Sequence, residues 1–252
     1  MRSTRCRKPI DANDAFEEWR RRLAADPDTN LLDLYELVAK PRGIDPTDLP
    51  LKERTALFHR AAPVMYPGWE LTTNSERGLE PIELVPYDPT WPAAFESWRA
   101  RLAAALGPVA RRIDHYGSTS VPGLPAKPVI DIHIGVDDMT KEELYVPQIE
   151  ALGVQLRNRD GDQRFFRPFA GRPRDVHIHV CDFDSAWARK DLLFAAYLRH
   201  DALARDEYLR GKQLAAARWA DDRVAYTEAK TAVIRPIAAR AEQWALETGW
   251  KP

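Results

Sequence analysis

Gly117-Ser118-Thr119-Ser120, followed by the apolar run Val129-Ile130-Asp131-Ile132-His133-Ile134, is the stretch on which the reading of this chain turns. A glycine-serine turn between two strands can hold phosphate oxygens with backbone N–H groups and hydroxyls. Period-two alternation along the following strand puts Asp131 and His133 on one face and the isoleucines on the other. One reading is a phosphate-binding turn beside a metal-binding carboxylate. The other is a turn glycine, hydroxyls that cap a local turn, and a solvated strand aspartate. The stretch alone leaves both open.

On either side of it the text is long and ordered. Leu84-Val85-Pro86-Tyr87-Asp88-Pro89-Thr90-Trp91-Pro92 comes first, and the turn belongs to His115-Tyr116-Gly117-Ser118-Thr119-Ser120-Val121-Pro122-Gly123-Leu124-Pro125-Ala126-Lys127-Pro128. Val176-His177-Ile178-His179-Val180, then Leu192-Leu193-Phe194 with Tyr197-Leu198-Arg199, then Tyr226-Thr227-Glu228-Ala229-Lys230 follow. In these motifs and in their order the chain resembles the GrpB family, over residues 82 to 246. The resemblance implies the nucleotidyltransferase superfamily fold, whose signature is a Gly-Ser turn followed by a strand with two acidic residues one apart. The expected fold class is therefore α/β (α+β): a mixed sheet with flanking helices, a helical C-terminal tail and a small helical N-terminal block.

Composition sets limits. A chain of 252 residues, 44% apolar and 30% charged, can bury one large or two modest cores and reads as a soluble globular protein. Its formal charge of −1 offers no global attraction to nucleic acid or anionic lipid. Met1 to Lys8 is basic but lacks the apolar core of a signal peptide, and no run approaches the roughly 20 apolar residues of a membrane helix, so a cytoplasmic location is expected. Cys6 and Cys181 are not expected to pair in a reducing compartment.

Residues 1–80 read as short helices and a linker. Phe16, Trp19 and Leu23 share one face, as do Leu31, Leu34, Tyr35 and Val38, and a third helix is expected over Leu51 to Ala62. The punctuation from Pro63 to Pro81 marks a linker or an extended arm. This block carries no motif for chemistry; a docking or homodimerisation module and a lid over the catalytic part both suit it. Residues 81–252 form the second block. A strand is expected at Ile82 to Val85, a helix from Pro92 to Leu106, strands at Arg112 to Tyr116 and Val129 to Val136, a helix from Lys141 to Leu152, and strands at Arg164 to Phe169 and Asp175 to Asp182. Helices with breaks near His200 and Asp221 complete it.

The chemistry follows from charge. Nucleotidyl transfer displaces pyrophosphate from an α-phosphorus, so the site must neutralise a triphosphate. Asp131 is the carboxylate suited to a metal, and Gly117, Ser118, Thr119 and Ser120 are the turn suited to the phosphates. Lys127 can reach a phosphate or sit solvated on its loop. Arg164, with Arg167 on the same strand, can clamp a phosphate or form a surface ion pair. Tyr226 and Lys230, four apart on a helix, share a face and match a family motif.

The chain departs from the superfamily pattern at its second acidic position, which is His133. Imidazole is a poor ligand for Mg²⁺ and a good one for Mn²⁺ or Zn²⁺. His177 and His179 stand on the strand that matches the superfamily's third acid, so Asp131, His133, His177 and His179 are the candidate catalytic set, with Asp131, His133 and His179 as metal ligands. The leading expectation is transfer of a nucleotidyl group, AMP from ATP or another nucleoside triphosphate, to an acceptor that the sequence does not identify, with Mg²⁺, Mn²⁺ or Zn²⁺. A metal-dependent phosphotransferase or ligase variant, and a non-catalytic nucleotide- or metabolite-binding module, are the alternatives. The sequence holds no P-loop, so the dephospho-coenzyme A kinase domain sometimes fused to GrpB-like segments is not expected in it.

Overall fold

A computed structural model describes residues 12–72, 81–169 and 171–252. Met1 to Lys8, Cys6 and positions 73–80 of the linker lie outside the described residues. The N-terminal block forms α1 (Ala12–Ala25), α2 (Leu31–Ala39) and α3 (Leu51–Met65), with Phe16 and Trp19 of α1 and Leu31, Leu34, Tyr35 and Val38 of α2 buried as their spacing requires. Asn30 starts α2 with a capping box, its side chain accepting from the Leu32 N–H while Asp33 accepts from the Asn30 N–H. Beyond α3 the linker contributes a two-residue edge strand, β1 (Glu70–Leu71).

The centre is a six-stranded sheet. Its other members are β2 (Arg112–Tyr116), β3 (Ile130–Val136), β4 (Val154–Arg159), β5 (Arg164–Pro168) and β6 (Val176–Asp182), in the order β1-β4-β5-β6-β3-β2. Among the described residues only β3 and β6 pair in parallel; the other neighbours are antiparallel. Alternation is obeyed strictly. Ile130, Ile132 and Ile134 of β3 and Val176, Ile178 and Val180 of β6 turn to one face, where they form a core with α4 (Trp91–Leu106) and α5 (Val146–Glu150). The odd-numbered neighbours turn to the other.

That second face is roofed by the C-terminal helices α6 (Ala186–His200), α7 (Ala202–Arg218), α8 (Arg223–Ala229) and α9 (Thr231–Thr248). The expected breaks fall where side-chain caps restart the backbone: Asp201 accepts from the Ala204 N–H, and Asp222 from the N–H groups of Val224 and Ala225. The N-terminal helices share a core with α7 and α8, in which Trp219 packs on Tyr35 at 5.9 Å between ring centroids. The buried Arg54 ties the two together. Its guanidinium reaches Asp221 at 2.7 Å and Asp222 at 3.4 Å and donates to the Leu49 carbonyl at 3.0 Å.

Four segments differ from expectation, the first being Pro63 to Met65, which continues α3 into the expected linker. Ile82 to Val85 forms no strand, only a bridge from Val85 to Ala126, because Pro81 and Pro86 at its flanks withhold donors from a longer ladder. The helix expected over Lys141 to Leu152 is divided into a 3₁₀ turn at Glu142–Leu144 and α5, since Pro147 removes an N–H and its ring clashes with the preceding turn. Strand β4, with Val154 and Leu156 buried in alternation, was absent from the expected set. Among the described residues no helix is long and apolar enough to cross a membrane.

Candidate functional site

The parallel register of β3 and β6 sets Asp131 directly opposite His177 and His133 opposite His179, all on the face covered by the C-terminal helices. His177 Nδ1 lies 3.3 Å from Asp131 Oδ1. The aspartate is enclosed between sheet and helices, with about a quarter of its side chain exposed (26%). That enclosure works to raise its carboxyl, but the His177 hydrogen bond and the nearby positive potential of His177, His179 and Lys127 outweigh it and hold it below the ordinary carboxylate value. Burial pushes His177 down despite the bond to Asp131, and pushes His179 far down, with His133 adding to the effect.

The four residues adjoin without forming one cage. His133 is stacked on Trp187 at 4.8 Å and tilted against Tyr116 at 3.7 Å, and its Nε2 is 3.5 Å from Asp191. His179 Nδ1 is hydrogen-bonded to the Gln163 amide oxygen and its ring lies 4.9 Å from Phe165. Among the described residues no three His, Cys, Asp or Glu side chains are grouped to hold a metal ion. Asp131 remains the carboxylate of β3 that faces open space.

That space is a cavity of about 720 Å³ between the sheet and α6 to α9. Gly117, Ser118 and Thr119 form one rim; Asp131 and His177 lie on the floor. The turn is shaped for this position. Gly117 has a φ of +72°, Ser120 Oγ donates to the Gly117 carbonyl at 2.8 Å, and the buried Thr119 hydroxyl donates to the Val129 carbonyl at 3.0 Å. Two of the hydroxyls are thus committed to holding the turn, and Ser118 is the one left at the rim.

Lysines come in from above. Lys127 and Lys230 both lie over the Tyr226 ring, 4.9 and 4.6 Å from its centroid, and Lys212 donates to the Pro125 carbonyl at 2.6 Å. All three line the cavity. Burial, reinforced by Lys230, Arg223 and Arg174, brings Lys127 down to about 7; burial with Lys230 and Lys127 does the same to Lys212. A lysine so depressed regains its proton when an anion arrives, so the arrangement favours a multiply charged ligand at this end. Phe194, Leu198 and Ile234 add apolar surface to its walls, with Asp191, Arg235 and Glu242 also in the lining.

The structure thus brings Gly117, Ser118, Lys127, Asp131, His177, His179, Tyr226 and Lys230 to one cavity. It does not bring Arg164, which points to the opposite face and binds Glu142 at 2.6 Å. Lys212 escaped the sequence reading, although it sits in register with the buried Tyr208 and Ala215 on the inner stripe of α7, where a lysine is out of place. Trp187 and Asp191 carried no recognisable signal.

Residues 81–240 match the GrpB protein family. The chain belongs to the GrpB family. It is 39% identical over 161 residues to a UPF0157 protein of Halalkalibacterium halodurans, covering 64% of this chain and 82% of that one. It is also 35% identical over 202 residues to the dephospho-CoA kinase of Mycolicibacterium paratuberculosis, of which it spans about half, 49%, against 68% of itself. The crystal structure of the conserved protein GrpB from Enterococcus faecalis superimposes with a TM-score of 0.58 at 28% identity, covering 67% of this GrpB chain and 100% of the other. The expected α/β class, a mixed sheet with flanking helices, is the fold of the molecule.

Proposed function

We propose that this GrpB protein binds a nucleoside triphosphate in the 720 Å³ cavity and transfers its nucleotidyl group, AMP from ATP, to a small-molecule or protein acceptor. One observation carries the reading: Lys127, Lys212 and Lys230 line the same cavity as Asp131 and the Gly117 turn, and Phe194, Leu198 and Ile234 in its walls offer an apolar surface for a base. In the reaction an acceptor oxygen bonds to the α-phosphorus, the bond from that phosphorus to the bridging oxygen breaks, pyrophosphate leaves, and the acceptor's proton passes to water. The lysines neutralise the charge that grows on the departing pyrophosphate. Asp131, the carboxylate of β3 in this cavity, would hold a divalent cation, which would supply neutralisation of phosphate charge.

A second reading, nucleotide binding without transfer, is favoured by one observation: the second acidic position of β3 holds His133, packed between Tyr116 and Trp187. The two are separated by one experiment. Thermal shift with ATP, GTP, CTP and UTP, each with Mg²⁺, Mn²⁺ and Zn²⁺, finds the ligand, and pyrophosphate release in the presence of cell metabolites reports transfer. A chain that no nucleotide stabilises sinks both readings; stabilisation without pyrophosphate release favours the second.

A further inference from the structure

In the last turn of α6, Arg199 leans on the Gly117 turn, its Nη2 donating to Ser120 Oγ at 3.5 Å. That distance is at the far limit of a hydrogen bond. Ser120 has already given its proton to the Gly117 carbonyl, so it offers the guanidinium one lone pair, and the rest of the fork has no partner among the described residues. Ser118 and Thr119 line the 720 Å³ cavity and Ser120 does not, which sets Arg199 just beyond the rim.

No carboxylate among the described residues answers this charge. Arg189, on the same helix, is held by Glu242 at 2.9 Å, and Asp201, the acid nearest along the chain, accepts from the Tyr197 hydroxyl and the Ala204 N–H. Partial burial lowers the Arg199 guanidinium from its ordinary value, with no acid to restore it. The charge is felt beneath the turn: burial takes His115 down to about 4, and Arg199 adds to that against the pull of Asp131. Nor does the turn need Arg199 as a brace. It is closed by its own bonds and by His115, whose Nε2 meets the Thr119 hydroxyl at 3.0 Å while the ring stacks on Phe95 at 4.8 Å.

We propose that Arg199 binds the terminal phosphate of the nucleoside triphosphate, and so makes the site prefer triphosphates to shorter nucleotides. The nucleotide in this statement rests on the reading of the cavity given above; a polyphosphate site at Arg199 does not. Lys127, Lys212 and Lys230 serve phosphates inside the cavity. A phosphate chain that leaves it past Ser118 next meets Arg199, whose planar fork suits two oxygens of a dianionic end group. Arg199 is thereby a gauge of phosphate number.

The test is calorimetry on the full chain with ATP, ADP and AMP, each with Mg²⁺, and with inorganic tripolyphosphate. Arg199→Gln should weaken ATP and tripolyphosphate by about ten-fold or more, the scale of a lost charge-assisted contact, and leave AMP within about two-fold. Arg199→Lys, which keeps the charge without the fork, should recover part of the loss. Arg199 is exposed, so the melting temperature of both variants should stay at the wild-type value. Unchanged ATP affinity in Arg199→Gln, equal weakening of ATP, ADP and AMP, a fall in melting temperature that accounts for the loss, or no binding of any probe overturns the proposal. Binding of tripolyphosphate that depends on Arg199, in a chain that binds no nucleotide, refutes the nucleotide reading and not this site.

Discussion

Gly117 and Asp131 fit together only because one of them has no side chain. A Cβ on Gly117 would stand 2.9 Å from the Asp131 Cβ and closer still to its carboxylate, and the φ of +72° is one that L side chains rarely adopt. Gly117→Ala should therefore cost at least the roughly 1–3 kcal/mol of a residue forced into this glycine-only backbone region and should displace Asp131 as well. The expected result is a lowered melting temperature with nucleotide binding lost; full nucleotide affinity in this variant would remove the turn from the site.

Ser118 and Ser120 separate what the turn binds from what holds it. Ser118 faces the cavity, whereas the Ser120 hydroxyl is spent on the Gly117 carbonyl. Ser118→Ala should weaken nucleotide binding by about 1–3 kcal/mol, the range for a hydrogen bond to a charged group, with an unchanged melting temperature. Ser120→Ala should do the reverse, and calorimetry with thermal denaturation of both variants distinguishes the roles.

The depressed lysines give a proton signature. Lys127 and Lys212, each brought to about 7 by burial and neighbouring cations, are largely neutral at pH 8.5 in the free protein. Binding of ATP or pyrophosphate at that pH should take up protons, seen in calorimetry as an enthalpy that depends on the buffer, and Lys127→Met should reduce the uptake. Stability has a definite sign as well. Between about 7 and the ordinary lysine value near 10.5 the unfolded chain holds protons the folded one lacks, so these two groups favour folding increasingly as pH rises through that window and lose the contribution as pH falls through 7. Denaturant midpoints across that pH range measure it.

Arg54 is expected to be the residue whose loss most damages the union of the N-terminal and C-terminal helices. Arg54→Met leaves the fully buried Asp222 without its guanidinium, a change worth about 3–5 kcal/mol. Because Asp222 also caps α8, which carries Tyr226 into the cavity, nucleotide affinity should fall with stability. A loss below about 1 kcal/mol in chemical denaturation would mean that solvent reaches the pair.

His133 marks the boundary of what the sequence could tell. Alternation placed Asp131 and His133 on one face, and the two alternating histidines of β6 met them in register, because strand period and pairing are written locally and by family. What surrounds His133 was not legible: Tyr116 comes from β2 and Trp187 from α6, and no local pattern announces a ring sandwich made from three elements. Lys212 was missed for the same reason, since its partner is a carbonyl in a distant loop. Placing a carboxylate at this position with His133→Asp would bury a charge between two aromatic rings, so loss of several kcal/mol of stability is expected rather than a gain for Mg²⁺. A variant with wild-type stability would refute that account.

The one parallel pairing in the sheet also fixes an order in time. Asp131 and His177 are neighbours only after the chain has left β3, laid down α5 and the β4–β5 hairpin, and come back, so this pairing is closed against a long loop. During synthesis β3 therefore waits with β2 on one side and an unpaired edge on the other until Val176–Asp182 emerges. Its isoleucines and that edge form an adhesive surface, open to chaperones and to other nascent copies. The strand that bears Asp131 is thus also one whose edge stays open until β6 has been made.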